Sequence, residues 1–200
     1  EVATSLVQNF KAMLSPLFIF LFICMALTAI TEFGPTQWVT IILSSSGAEP
    51  MIILALTTGL MAVARYFAGP VVGSLGQTGV LLISAILATI GIYMFSTVTG
   101  PMAYVAAVIF AIGISYFWPV MVGAVAQRVP LSSALGMSVI GGIGMFSTAI
   151  FQPIIGSWID DSREEYRAEG LTGEALELAA GQQTLEYMVS FPAILIVLFT

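Results

Sequence analysis

A carboxylate, several hydroxyls, an amide and an indole lie together inside one long apolar stretch of this sequence. Residues 28–38 read Thr-Ala-Ile-Thr-Glu-Phe-Gly-Pro-Thr-Gln-Trp, within an apolar run from about 16 to 43. A charged side chain at the centre of a membrane costs roughly 2.5–3.5 kcal/mol even on the lenient insertion scale, and such residues usually serve a function. Glu32 is therefore the first candidate site residue.

Three neighbours of Glu32 are expected to share its helix face. Residues three and four positions apart lie on one side of a helix, which places Thr28, Pro35 and Thr36 beside the carboxylate. Pro35 has no N–H and crowds the carbonyl of Thr31, so we expect the helix to kink or open there. The resulting stripe suits a polyhydroxylated solute, a cation or a proton carrier. The alternative is that Glu32 only pairs with a base to hold helices together.

A second candidate group is the aromatic segment Tyr116-Phe117-Trp118-Pro119. Pro119 leaves the carbonyl of Ser115 without its helical partner. Trp and Tyr can stack on sugar or base faces while their polar atoms hydrogen-bond, although aromatic residues also serve helix packing and membrane interfaces. The predicted solute-binding or proton-coupling residues are thus Glu32, Thr28, Thr36, Gln37, Trp38, Tyr116 and Trp118.

Two arginines are candidates for gating, as are the helix kinks at Pro35 and Pro119. In antiparallel straight helices Glu32 would lie ~24 Å and Arg65 ~15 Å from the same membrane face, at ~1.5 Å per residue. That separation disfavours a direct ion pair and places Arg65 near the inner end of its helix. Arg128 lies in a short connection and is expected at the same face.

The composition is that of a polytopic membrane protein. Of the 200 residues, 58% are hydrophobic and 8% are charged; soluble domains do not have this profile. Eight of the 11 acidic residues fall between Asp160 and Glu186, so the negative charge belongs to one segment and argues against nucleic acid as a partner. With no His and a single Cys, Cys24, an intrachain disulfide and a Cys/His metal site are excluded. We expect no enzyme, no catalytic residues, no metal and no cofactor.

The order of apolar runs predicts an all-α membrane protein, because only helices or closed barrels cross a bilayer and these runs are too long for barrel strands. Residues 1–15 are predicted to be a cytoplasmic amphipathic lead-in along the membrane. A transmembrane half-domain covers 16–200, with an external acidic loop at 160–186 that contains a short helix capped by Thr172. The predicted spans are 16–43, 50–75, 79–96, 101–126, 132–159 and a truncated sixth at 187–200.

Glycines in two of these spans predict close helix packing. Gly69 and Gly73 are four residues apart, and Gly136, Gly141, Gly142 and Gly144 recur along the fifth span. Small residues let neighbouring helices approach in a membrane. Packing is the simpler interpretation, and a sliding interface is the alternative.

The sequence resembles the C-terminal half of a major facilitator superfamily transporter, helices seven to twelve of a twelve-helix fold. The segment from Arg65 to Gly76 is similar to the eighth helix entering its short loop. Residues 123–133 resemble the connection between helices ten and eleven, and 153–161 resemble helix eleven. The Thr-Glu and Gln-Trp pairs of 28–38 are similar to helix seven of bacterial permeases for sugars or nucleosides. One departure is Gln77-Thr78, where the family loop carries an acid and basic residues.

This resemblance implies a six-helix bundle forming one half of a transporter that works by alternating access around a midplane site. It implies a small polar solute, a sugar or nucleoside, moved with a proton. The partners would be the solute, the lipid bilayer and an N-terminal six-helix half that this chain lacks. The expected location is a bacterial inner membrane. The start of the chain is expected to be cytoplasmic, because Lys11 and Arg128 lie on that side and basic residues close to the membrane favour the cytoplasm. The alternatives are efflux of organic anions or drugs, and a receptor that does not transport.

Overall fold

A computed structural model describes residues 5–44 and 47–200, and every regular element in these two ranges is helical. The first four residues of the predicted lead-in lie outside the described residues. Within these two ranges nine α-helices follow one another: α1 Leu6–Met13, α2 Pro16–Ser44, α3 Pro50–Tyr66, α4 Ala68–Thr97, α5 Met102–Ile114, α6 Phe117–Arg128, α7 Ser133–Ala168, α8 Gly173–Met188 and α9 Ser190–Phe199. A 3₁₀ turn, Pro130–Ser132, joins α6 to α7.

The predicted all-α membrane class is confirmed in its general form. In the described part of the chain, five helical stretches are long and apolar enough to cross a membrane: 16–39, 68–97, 102–128, 130–168 and 173–199. α3 is apolar but shorter, with 17 residues. Large apolar side chains on the outward side of α4, Ile83, Ile86 and Ile90, are about two-fifths exposed, as expected of a surface that faces lipid.

Proline explains the position of three of the junctions between consecutive helices. Pro70 and Pro192 each lie four residues after the last residue of a helix, Tyr66 of α3 and Met188 of α8. Pro119 lies four residues after Ser115, which directly follows α5. A proline removes the hydrogen bond to the carbonyl four residues earlier, and its ring crowds that carbonyl. The α3–α4, α5–α6 and α8–α9 junctions follow. α2 continues through Pro35 as helix, so the predicted opening at that proline does not become a break.

The predicted acidic loop at 160–186 is wrong, because all of those residues except 169–172 are helical. α7 runs on to Ala168, and α8 begins at Gly173. Glu, Arg and Ala are strong helix formers, so the charged sequence ended the apolar run without ending the helix. The helix ends because of Gly170, two residues after Ala168, whose φ of +95° does not continue a helix. There Gly170 and Leu171 donate backbone hydrogen bonds to Arg167 and Tyr166, at 3.1 and 3.0 Å, which is a Schellman motif.

Two other predicted boundaries also change. The sixth span does not begin at 187, since the membrane-length stretch starts at residue 173 and includes all of α8. The turn expected between 75 and 79 is a single residue, Gly76, whose φ of 70° and ψ of 163° interrupt α4. Thr172 precedes α8 as predicted and Glu174 lies in its first turn, although the Thr172 side chain makes no capping hydrogen bond.

α2 is the central helix and packs against α3, α6, α7, α8 and α9, while α4 packs against α5, α8 and α9. α1 lies against the 3₁₀ turn at 130–132 and exposes Leu6, Val7 and Phe10. The core is filled by side chains that are fully buried or nearly so, among them Met25, Phe95, Phe110, Phe117 and Ile140. This arrangement places the residues around Glu32 where four helices meet.

α4 and α5 approach each other closely, with glycines of each helix against the backbone of the other. A Cβ added at Gly113 would lie 2.5 Å from the backbone nitrogen of Ala88, and one at Gly91 would lie 2.6 Å from Cα of Phe110. Gly144, in the predicted series, does meet a neighbour: its added Cβ would lie 2.8 Å from the ring of Trp118. In the described part of the chain nothing lies within 4 Å of such an atom at Gly69 or Gly73, so their spacing does not mark a packed interface there.

Gly113→Ala is therefore expected to destabilise the bundle, because the new methyl group meets backbone atoms of α4 that cannot rotate away. Overpacking of this kind costs about 1–3 kcal/mol. The matched control is Gly142→Ala, in α7, where nothing lies within 4 Å of the added atom and the better helix propensity of alanine should help slightly. Thermal unfolding in detergent measures both. Equal melting temperatures for the two variants would show that the α4–α5 contact is not this tight.

Candidate functional site

Glu32 and Arg65 form an ion pair, with 3.0 Å between Glu32 Oε1 and Arg65 Nη2. The prediction that Arg65 lies too near the inner end for a direct pair is wrong. It assumed a straight second span, but that span is interrupted at Phe67, whose φ of −91° and ψ of 11° are not helical. The depth of Arg65 in the membrane, counted along a straight helix that ends at residue 75, is therefore wrong, because α3 ends at Tyr66. The long arginine side chain covers the remaining separation.

Arg65 has a second partner at the junction between α5 and α6. Its Nε donates a hydrogen bond of 2.9 Å to the carbonyl oxygen of Ser115, the acceptor that Pro119 leaves without its helical N–H. The hydroxyl of Tyr116 donates in return to the carbonyl of Ala64, at 2.9 Å. One guanidinium thus connects α2, α3 and the α5–α6 junction.

The buried carboxylate is only half satisfied. The side chain of Glu32 is 6% exposed, and its Oε2 atom is buried with no hydrogen-bond partner among the described residues. Buried polar atoms in proteins nearly always have a partner, and an exception requires an explanation. A donor that arrives with a ligand, or a proton, would supply what Oε2 lacks.

A cavity of about 310 Å³ lies beside the pair, between α2 and α3. α2 contributes Glu32, Phe33 and Thr36, while α3 contributes Thr58, Met61, Ala62 and Arg65. The volume is at the lower end of the ~300–1,000 Å³ that is usual for small-molecule sites. Charged and hydroxyl groups line one part of the cavity and apolar groups another. It can therefore hold a small solute that is polar on one side.

The hydroxyls near Glu32 donate back into their own helix. Thr28 donates to the carbonyl of Met25 at 2.9 Å, and Thr36 donates to the carbonyl of Glu32. Back-bonding of this type is common for Ser and Thr within helices. Thr36 lines the cavity and its oxygen can still accept a hydrogen bond. Thr28 is 1% exposed and does not line the cavity, so the structure does not place it in contact with a solute there.

Trp38 lies against α7. Its indole nitrogen donates to Oε1 of Gln152 at 2.8 Å, and Nε2 of the same amide donates to the carbonyl of Phe33 at 3.0 Å. Gln152 therefore ties α2 to α7 at two points. The predicted stacking or gating role of Trp38 stays a prediction, because the contacts observed are those of helix packing.

Trp118 is half-buried between α2 and α7. Its ring meets Phe33 edge to face, with 6.3 Å between ring centroids, and it fills the space that Gly144 leaves open. It reaches the cavity only through Phe33. Tyr116 is closer, since its hydroxyl is bound next to Arg65, while Gln37 is an exposed residue one position beyond Thr36.

Comparisons with models of known protein families, with curated proteins and with solved structures gave no match. The resemblance to the major facilitator superfamily therefore remains a prediction from the sequence. The site has to be interpreted from its own geometry.

Arg128 lies at a separate position, at the end of α6. Its Nη2 donates to the hydroxyl of Thr78 at 2.8 Å, just after the interruption of α4 at Gly76. A neutral hydroxyl thus accepts the bond. An Arg–Thr hydrogen bond at an exposed position is weaker than a charge pair, so this contact can be broken readily.

Sequence reasoning missed the α3 wall of the cavity and the amide of Gln152. Thr58, Ala62 and Arg65 are spaced by four and three residues, which puts them on one helix face, and that spacing was a usable signal. Gln152 is an amide within a membrane-length helix, which is itself unusual. The bond between Arg65 and Ser115 could not be read from the sequence, because it depends on how two distant helices pack.

Proposed function

We propose that this chain is part of a secondary transporter that moves a small polar solute across a membrane together with a proton. The observation that carries the proposal is the Glu32–Arg65 pair, whose buried Oε2 atom has no partner among the described residues, on the wall of a 310 Å³ cavity. The cavity would hold the solute. Glu32 would take up and release the proton.

The partly satisfied carboxylate favours function over a purely structural pair. Ionisable groups inside a membrane are costly and are usually kept for ion or substrate pathways. A pair that served only to hold helices together would gain from satisfying both carboxylate oxygens, since an unpartnered buried acceptor costs about 1–3 kcal/mol. Glu32 bears this cost beside an open space that a small molecule can enter.

The connections of Arg65 support a site that changes shape. Arg65 joins Glu32 on α2 to the Ser115 carbonyl at the α5–α6 junction. A change at Glu32 would therefore alter a contact between α2 and the neighbouring helices. Alternating access requires such a coupling between site occupancy and helix arrangement.

Several finer features of the proposal come from the resemblance alone. They are a twelve-helix protein of which this is the second half, a sugar or nucleoside as the solute, and a bacterial inner membrane with residue 16 near the cytoplasm. The six-helix bundle would comprise α2, α3 with the first part of α4, the rest of α4, α5 with α6, α7, and α8 with α9.

The experiment is a solute panel on the full-length protein in proteoliposomes that enclose a pH-sensitive dye. The panel contains hexoses, pentoses, nucleosides and sugar acids. We expect at least one solute to be taken up faster after an inward proton gradient is imposed, and to carry protons inward when added without a gradient. Solute binding without counterflow would favour a receptor. Proton-independent uptake of the same solutes would remove the proton from the proposal.

A further inference from the structure

The guanidinium of Arg65 has one edge in use and one edge free. Nε donates to the Ser115 carbonyl, and Nη2 donates to Glu32, so both bonds use the side of the group that carries Nε. The remaining edge, between the two terminal nitrogens, has no hydrogen-bond partner in the described part of the chain. Arg65 lines the 310 Å³ cavity, and its side chain is 39% exposed. Two parallel N–H groups therefore remain available to a ligand.

Such an edge matches a carboxylate. Arginine binds carboxylate and phosphate through two parallel charge-assisted hydrogen bonds, a geometry that lysine cannot reproduce. The rest of the cavity offers the hydroxyl of Thr58, the oxygen of Thr36 and apolar contacts from Phe33 and Met61. A small carboxylate with hydroxyl groups fits these partners better than a neutral sugar, which would leave the charged edge poorly matched.

The charge balance of the cavity links that anion to a proton. With Glu32 ionised, Arg65 is already neutralised, and an added carboxylate would leave one excess negative charge in a largely buried space. With Glu32 protonated, the carboxylate of the solute replaces Glu32 as the counter-ion of Arg65. The anion and the proton therefore favour each other's binding, and linkage makes this reciprocal.

No other charged group of the described chain contacts Glu32. Arg128 is bound to Thr78, and Tyr116 is bound to the carbonyl of Ala64. The remaining titratable residues on α2–α9 are Cys24, Tyr66, Tyr93, Tyr104, Asp160, Asp161, Arg163, Glu164, Glu165, Tyr166, Arg167, Glu174, Glu177, Glu186 and Tyr187. Arg65 is the counter-charge that decides the state of Glu32.

We propose that the solute is a sugar acid, that its carboxylate binds the free edge of Arg65, and that one proton enters on Glu32 with each monoanion, which makes transport electroneutral. This inference rests on the proposed transporter and names its substrate class. The proton and the carboxylate enter together and leave together, so the site carries no net charge in either state.

The test uses matched pairs that differ at one carbon: galacturonate with galactose, glucuronate with glucose, and gluconate with sorbitol. Uptake into proteoliposomes that contain the full-length protein is measured with a proton gradient, at membrane potentials clamped to either sign. We expect at least one acid to be transported at a rate independent of the potential, and its neutral counterpart to be transported at least about ten-fold more slowly, the discrimination expected when a charged site is left unpaired.

Arg65→Lys keeps the positive charge and removes the paired N–H groups, and it is expected to lower uptake of the acid by about ten-fold or more. Arg167→Lys, at the exposed end of α7, is the matched control and should transport normally. Melting temperature and reconstitution yield show whether Arg65→Lys is folded. If Arg65→Lys does not fold, the dependence of wild-type uptake on membrane potential tests the proposal by itself.

Three outcomes would overturn the inference. Uptake of a neutral sugar or nucleoside with protons, without uptake of any of the acids, would retain the transporter and reject the anion. Uptake of an acid that generates a current would reject the one-to-one coupling. No uptake of any solute, with no proton movement, would reject the transporter itself.

Discussion

Glu32→Gln is expected to abolish proton-driven accumulation of solute while the protein still inserts and folds. Glutamine has nearly the shape of a protonated glutamate, so the variant holds the site in its proton-loaded form. With one proton per solute, a gradient of about two pH units supports about 100-fold accumulation in the parent protein, and the variant should fall to simple equilibration.

Exchange of solute across the membrane should survive this change. If Glu32 only carries the proton, counterflow of labelled against unlabelled solute needs no net proton movement and continues in Glu32→Gln. The control is Glu165→Gln, an exposed carboxylate in α7, which should accumulate solute like the parent. Unchanged accumulation and unchanged pH dependence in Glu32→Gln would remove Glu32 from the mechanism. Loss of both accumulation and exchange would give it a role in binding the solute directly.

Arg65→Met is expected to destabilise the protein by about 1–3 kcal/mol, less than the ~3–5 kcal/mol of a fully buried ion pair, because the side chain of Arg65 is 39% exposed and Glu32 can take up a proton. The variant leaves the carboxylate of Glu32 buried without its counter-ion, and it also removes the donor to the Ser115 carbonyl. Methionine keeps the apolar length of the side chain, so loss of packing contributes little. A drop in the melting temperature in detergent measures the effect.

The second change, Glu32→Gln in the same molecule, should restore most of that loss. A neutral amide opposite methionine has no uncompensated charge, and replacing both members of a buried pair is often close to neutral. A residual loss of about 1 kcal/mol is expected from the missing bond to Ser115. If the double variant is no more stable than Arg65→Met alone, the charge of Glu32 is not what the guanidinium stabilises.

The helical class and the unusual position of Glu32 inside an apolar helix could be predicted because both depend on local sequence. Long apolar runs have few solutions in a membrane, and a lone acid in such a run stands out whatever it contacts. The free carbonyl at Ser115 was also predictable, since Pro119 removes a specific N–H. These inferences needed no knowledge of how the helices are arranged.

The partner of Glu32 could not be predicted, because helix register depends on interruptions far from the site. The junction at Phe67 moves the end of α3 relative to a straight span, and that shift decides whether Arg65 reaches the carboxylate. The continuation of α7 beyond Asp160 was missed for another reason. Charged residues were taken as the end of a helix, whereas Gly170 is where α7 actually ends.

The bond between Arg65 and Ser115 has a consequence for how this site can vary among related sequences. Its acceptor is a main-chain oxygen, which every amino acid at position 115 provides, and its availability is set by the absence of a hydrogen atom on the nitrogen of Pro119. An alignment that follows only polar side chains would leave this proline out of the site. Residue 119, whose own side chain is exposed, determines whether the Ser115 carbonyl is free to accept a hydrogen bond from Arg65. A residue other than proline there would offer a backbone N–H to the same carbonyl.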